Sequence, residues 1–140
     1  MKKFFYTLAF VIVALAFVPV AASAQGNGKI KGKLTYPSEF IPADMVVCVE
    51  GTTRTVCSNS RDKAGYVFKV NRGAARYEIS LPAGKYYIYG KTREMAGEKA
   101  YYNEFVKCGM DVRCKSKKKI RLNVRSGRTI SGITVGDWYR

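Results

Sequence analysis

The chain has 140 residues, with 25 Lys and Arg against 10 Asp and Glu, a formal net charge of +15, four Cys and no His. That length supports one hydrophobic core and not two. Without histidine the Ser-His-Asp, Cys-His and His-metal arrangements are excluded, the ten carboxylates are too scattered to define a glycosidase-like pair, and no cofactor is expected.

Lys2 and Lys3 precede an almost wholly apolar run from Phe4 to Phe17, and Ala22-Ser23-Ala24 forms a small-x-small site before Gln25. This reads as a helical secretory signal peptide over residues 1–24, followed by a single domain over 25–140. The rival reading is a retained anchor, because Phe4 to Ala24 is just long enough to span a bilayer. No Cys lies near the cleavage site, so a lipid anchor is not expected, and no later stretch is apolar enough to cross a membrane. An exported chain, periplasmic or secreted, with this much positive charge meets phosphate-bearing envelope polymers, anionic headgroups or acidic glycans rather than nucleic acid. The bland alternative is a solvated surface that happens to be basic.

After a flexible Gly26 to Gly28, Ile30, Gly32, Leu34 and Tyr36 alternate with Lys29, Lys31, Lys33 and Thr35. That period of two predicts a half-buried strand whose outward lysines read as edge protection, with binding as the alternative. Pro37 to Pro42 is a structured turn. Val46 to Glu50 and Arg54 to Ser58 flank a Thr52-Thr53 turn and predict a hairpin. In that register Cys48 faces Cys57 across a non-hydrogen-bonded pair, with Cα atoms about 4.5 Å apart, so a Cys48–Cys57 disulfide is expected. Val49 and Val56 then share the core face, and the bridge lies on the other.

Ala64 to Lys91 predicts three strands: one around Tyr66, Phe68 and Val70, one around Tyr77, Ile79 and Leu81, and one after Gly84. Between the last two, Pro82-Ala83-Gly84 reads as a turn that uses a positive φ at Gly84. Tyr86 and Ile88 take the core face of the third strand, leaving Lys85, Tyr87, Tyr89 and Lys91 outside. Thr92 to Lys99 is a polar loop, and Tyr101 to Val106 resumes strand-like composition. Cys108 and Cys114 bracket five residues and are expected to close that loop as a second disulfide. Without Cys-x-x-Cys spacing or histidine, no metal site is expected. Arg113 to Lys119 is the densest basic run, and Ile120, Leu122 and Val124 alternate after it. Beyond Ser126-Gly127, the parity shift between Ile130 and Ile133 predicts a bulge near Gly132.

Eight or nine short strands, no helix beyond residue 24 and regular turn signals define an all-β fold, an antiparallel two-sheet β-sandwich. Gly32-Lys33-Leu34, the Asp62-to-Gly65 turn and Leu81-Pro82-Ala83-Gly84-Lys85-Tyr86 resemble the carboxypeptidase regulatory-like domain, and Val124 to Thr129 is similar to its closing turn. The resemblance covers most of Lys29 to Val135. It implies a prealbumin-like (transthyretin-like) sandwich, near the Cna-B and starch-binding-like folds, with no catalytic role. Both Cys pairs and the segment Tyr101 to Cys114 lie outside its core pattern.

The candidate binding residues form two groups. Tyr87 and Tyr89, flanked by Lys85 and Lys91, present a tyrosine face to which Tyr101, Tyr102, Trp138 and Tyr139 are candidates to contribute. Such a face suits a protein interface or stacking on sugar rings, unless it only pairs across strands or is covered. Lys117, Lys118 and Lys119 mark a basic loop suited to phosphate or carboxylate groups, or merely solvated. The sequence therefore predicts a non-catalytic exported module contacting an envelope component or protein partner. A carbohydrate-binding module of the same fold and a purely structural envelope protein are the alternatives.

Overall fold

A computed structural model describes residues 26–139, so the expected signal peptide lies outside the described residues. The strands are β1 (Asn27–Leu34), β2 (Val46–Glu50), β3 (Thr55–Cys57), β4 (Val67–Lys69), β5 (Arg76–Pro82), β6 (Gly84–Lys91), β7 (Ala100–Tyr101), β8 (Leu122–Val124) and β9 (Thr129–Val135), with a short helix α1 (Glu104–Lys107) between β7 and β8. They form two sheets. The first has the order β4-β5-β1-β9; the second has β3-β2-β6-β7, with β8 also paired to β6. Ile30, Ile79, Leu81, Val47, Val49, Ile88 and Val135 fill the core between them, all essentially without solvent exposure. Among the described residues, no helix is long and apolar enough to cross a membrane.

The hairpin register agrees with the sequence reading: Cys48 faces Cys57, Val49 faces Val56, and the Gly51 N–H donates to the Arg54 carbonyl at 2.9 Å. Both expected disulfides are present, Cys48–Cys57 with Cα atoms 4.0 Å apart and Cys108–Cys114 with 6.0 Å. These bridges point to an oxidising environment. The expected bulge is also present. Pairing of β1 with β9 slips between Ile130 and Ile133, and Gly132 there has φ 78°.

Four expectations need correction. β1 is not an edge strand: it lies between β5 and β9, so its lysines project from the middle of a sheet. The sandwich is not wholly antiparallel, because β9 runs parallel to β1. Residues 104–107 form a helix rather than a strand. Asn103 caps it by accepting the Val106 N–H at 3.0 Å, and this satisfies one of the orphan donors of the first turn.

The fourth correction concerns Pro82-Ala83-Gly84, which carries the chain from one sheet to the other, with no positive φ at Gly84. The Tyr86 hydroxyl donates back to the Pro82 carbonyl at 3.0 Å, a tyrosine corner. A Cβ at Gly84 would lie 2.9 Å from that hydroxyl and 3.0 Å from Cζ of the ring. Glycine is needed there for space.

Candidate functional site

The outward residues of the second sheet form one continuous surface. Antiparallel register sets Glu50 beside Tyr87, and Cys48 beside Tyr89, which in turn faces Tyr101 on β7. The Tyr89 and Tyr101 ring centroids are 5.0 Å apart. Tyr89 packs on the Cys48–Cys57 bridge with Val46 and Tyr101 alongside, a small apolar cluster separate from the main core. Tyr89 thus points away from the core as its parity predicts, yet it is only 4% exposed. It is a covered residue and not a free stacking platform. The cover comes from β7 and the disulfide, neither of which local alternation can reveal.

Cations stand over the rings of this face. Lys119 Nζ lies 3.9 Å from the Tyr101 centroid and 6.0 Å from that of Tyr87. Arg121 Cζ is 5.4 Å from the Tyr87 centroid, and its Nε donates to the Tyr87 hydroxyl at 3.3 Å. Lys99 Nζ is 4.9 Å from the Tyr89 centroid. Each such contact is worth about 0.5–1 kcal/mol where partly exposed. Lys85 and Lys91 end the outward row of β6. Glu50 is the carboxylate among the outward positions of these strands, and the Tyr101 hydroxyl donates to it at 2.6 Å. Burial first, then that hydrogen bond and the Glu50 charge, hold the Tyr101 hydroxyl well above its usual pKa; burial and Glu50 also raise Tyr89. No ion pair among the described residues uses Lys85, Lys91, Lys99, Lys119 or Arg121.

Two further aromatic candidates belong elsewhere. Tyr102 is buried in the main core. It follows outward-facing Tyr101 directly, and strand alternation lets only one of two neighbours face out. Trp138 is also a core residue; its Nε1 donates to the Thr35 carbonyl at 2.6 Å, and its ring meets Tyr36 edge-on at 5.2 Å. Tyr139 is exposed beyond it.

The basic loop divides. Lys117 is a structural tie: Nζ contacts Asp137 Oδ1 at 3.3 Å, donates to the Tyr139 carbonyl, and stands over the Phe105 ring at 5.3 Å. Asp137 also accepts from buried Asn103 at 2.6 Å. Lys118 is exposed, and Lys119 belongs to the tyrosine face.

A cleft of about 710 Å³ opens at the Lys91 end of this face, between Asp44–Val46, Ser58–Asn59, Val70–Arg72 and Lys91–Arg93. Arg72, Arg93 and Met45 are among its lining residues, and Asp44 accepts the Arg93 backbone N–H at 2.9 Å. The sequence reading missed this cleft, because four distant loops build it and no spacing pattern joins them. Among the described residues no group of three or more His, Cys, Asp or Glu is arranged to hold a metal. The chain matches no protein-family model, no curated protein and no solved structure.

Proposed function

We propose that this is a non-catalytic binding module of an exported, oxidising compartment, and that its cation–tyrosine face takes the acidic groups of an anionic envelope polymer. The observation that carries this reading is the pairing of three cations without ion-pair partners, Lys99, Lys119 and Arg121, to the rings of Tyr87, Tyr89 and Tyr101, with Lys85 and Lys91 at the ends of the same outward row. Held over rings, the Lys99, Lys119 and Arg121 side chains lose less freedom on binding than free surface lysines do. The leader-like residues 1–24 and the two disulfides support export. The resemblance of Leu81 to Tyr86 to carboxypeptidase regulatory-like domains supports a binding rather than a catalytic role. Neutral sugar stacking is the weaker reading, since a sugar ring would have to displace Lys119 or Arg121 from tyrosines that they cover.

The test compares binding of the disulfide-bonded protein to polyphosphate, polygalacturonate and dextran at low and physiological salt. Affinity for one or both anionic polymers should fall about tenfold with salt, and the triple variant Lys85→Gln/Lys119→Gln/Arg121→Gln should lose about as much at fixed salt. Salt-independent binding to dextran would instead make the protein a carbohydrate module. Binding to none of the three would favour a structural role.

A further inference from the structure

We infer that the outer face of the first sheet is a second anion site, so that one copy of the protein joins two chains of the polymer. The inference rests on the reading above but is carried by different residues. β1 projects Lys29, Lys31 and Lys33 from the middle of the sheet; β5 adds Arg76 and Glu78, and β4 adds Lys69. Glu78 serves three of these cations, with Lys31 at 3.0 Å, Lys69 at 3.6 Å and Lys29 at 3.7 Å. One carboxylate shared by three ammonium groups leaves most of their charge uncompensated.

Lys33 and Arg76 are the more telling pair. They sit directly opposite each other in the β1–β5 register, and neither takes part in an ion pair among the described residues. Like charges directly opposite on neighbouring strands oppose folding, so packing gives no reason for this arrangement. An oxyanion between them removes the repulsion, with the guanidinium fork supplying two parallel donors and the ammonium a point charge. Both residues line a cleft of about 480 Å³, together with Lys31, Lys69, the Glu78 that those two lysines share and the bulge at Ser131–Gly132, so the lining holds four cations against one carboxylate. The bulge that slips β9 against β1 forms part of the cleft wall, so a sequence feature that no binding role had explained acquires one.

The two cationic faces point in opposite directions, with the core between them. A chain laid on one face reaches the other only by passing round the sandwich edge. Two chains are the simpler occupancy.

The experiment mixes the full disulfide-bonded protein with polyphosphate-coated beads, and reads both binding to single beads and bead clustering. Wild type should bind and cluster. Lys33→Gln/Arg76→Gln should keep single-bead affinity within about threefold while clustering falls about tenfold, because the second-sheet face still holds one chain. Its thermal midpoint should equal or exceed that of wild type, since a repulsive pair is removed; a merely structural role predicts a lower midpoint. Binding without clustering by wild type would overturn the inference and leave the single-face reading intact. Clustering unchanged in Lys33→Gln/Arg76→Gln would overturn it too, and a wild-type dimer in sedimentation without polymer would then account for the bridging. Absence of any binding to the beads would overturn both readings for phosphate polymers, and polygalacturonate beads repeat the decision for carboxylates.

Discussion

On the first sheet Glu78 draws Lys29, Lys31 and Lys69 towards one half-buried carboxylate, and the lysines stay open to water. On the second sheet Glu50 is engaged by Tyr101, while Lys99, Lys119 and Arg121 lie over tyrosine rings, two of which, Tyr89 and Tyr101, also pack around a disulfide. Each outer face carries five cations and one carboxylate on its outward positions. The two faces use the same charge differently. Ion pairing with lysines this open to water adds little stability. Layering cations on aromatic rings adds a thin apolar layer outside the sheet and holds the charges in fixed positions. Similar charge counts on two surfaces therefore do not imply similar stability or order.

The largest expected effect tests the open face from beneath. A Cβ at Gly32 would lie 1.7 Å from the Ile133 carbonyl oxygen and 2.9 Å from the Tyr77 ring. Backbone cannot yield as a side chain can, so Gly32→Ala should cost about 3 kcal/mol or more in denaturant unfolding and should part β1 from β9. The covered face is tested by contrast. Tyr89→Ala, which empties the cluster over Cys48–Cys57, should cost about 3 kcal/mol, whereas Tyr87→Ala on the half-buried rim should cost about 1 kcal/mol. Equal losses would mean that the outer cluster is not a packed layer.

Titration separates the faces at opposite ends of the pH scale. The Tyr89 and Tyr101 hydroxyls are raised by burial first and by Glu50 next, and burial with Tyr66 beside it pushes Tyr86 up to about 12. Their folded values exceed the unfolded value of about 10. The stability this confers is fully present below that pH and is lost as pH rises through the raised values. Ultraviolet titration should show late tyrosine ionisation accompanied by unfolding, and Glu50→Gln should let Tyr101 and, to a lesser degree, Tyr89 ionise earlier. At acid pH the sign reverses. Lys31 hydrogen-bonds the Glu78 carboxylate, the other lysines add attraction, and its pKa falls below the usual glutamate range. That contribution is present above the unfolded value and fades as pH drops through the lowered one. Glu78→Gln should cause the smallest change of the series, a slight fall in thermal midpoint that salt erases.

Much of this comparison could be read from the sequence. Alternation identified the inward rows of β1, β5 and β6, and the short Thr52-Thr53 turn set the Cys48–Cys57 register, because both are local properties with a period of two. The parity shift at Gly132 located the bulge for the same reason. What escaped was non-local. Alternation assigns Tyr89 to the outer face but cannot say that β7 returns to cover it. The parallel pairing of β1 with β9 joins residues about a hundred positions apart, and it turns an expected edge into the centre of a sheet. Trp138 reaches Thr35 across the same separation, so its burial has no short-range signature. Helix α1 spans four residues, too few for a helical period to show. Arg72 and Arg93 line one cleft only because four distant segments converge there.

The most direct test of the cation–tyrosine face is an amide and side-chain NMR titration of the isotope-labelled, disulfide-bonded protein with an anionic oligomer, short polyphosphate or oligogalacturonate. The account predicts that the first shifts to move are those of Lys85, Tyr87, Lys119 and Arg121, with Lys33 and Arg76 following as a separate set. Changes confined to the exposed segments around Phe40 or Val112, with the second-sheet residues silent at saturation, would contradict it.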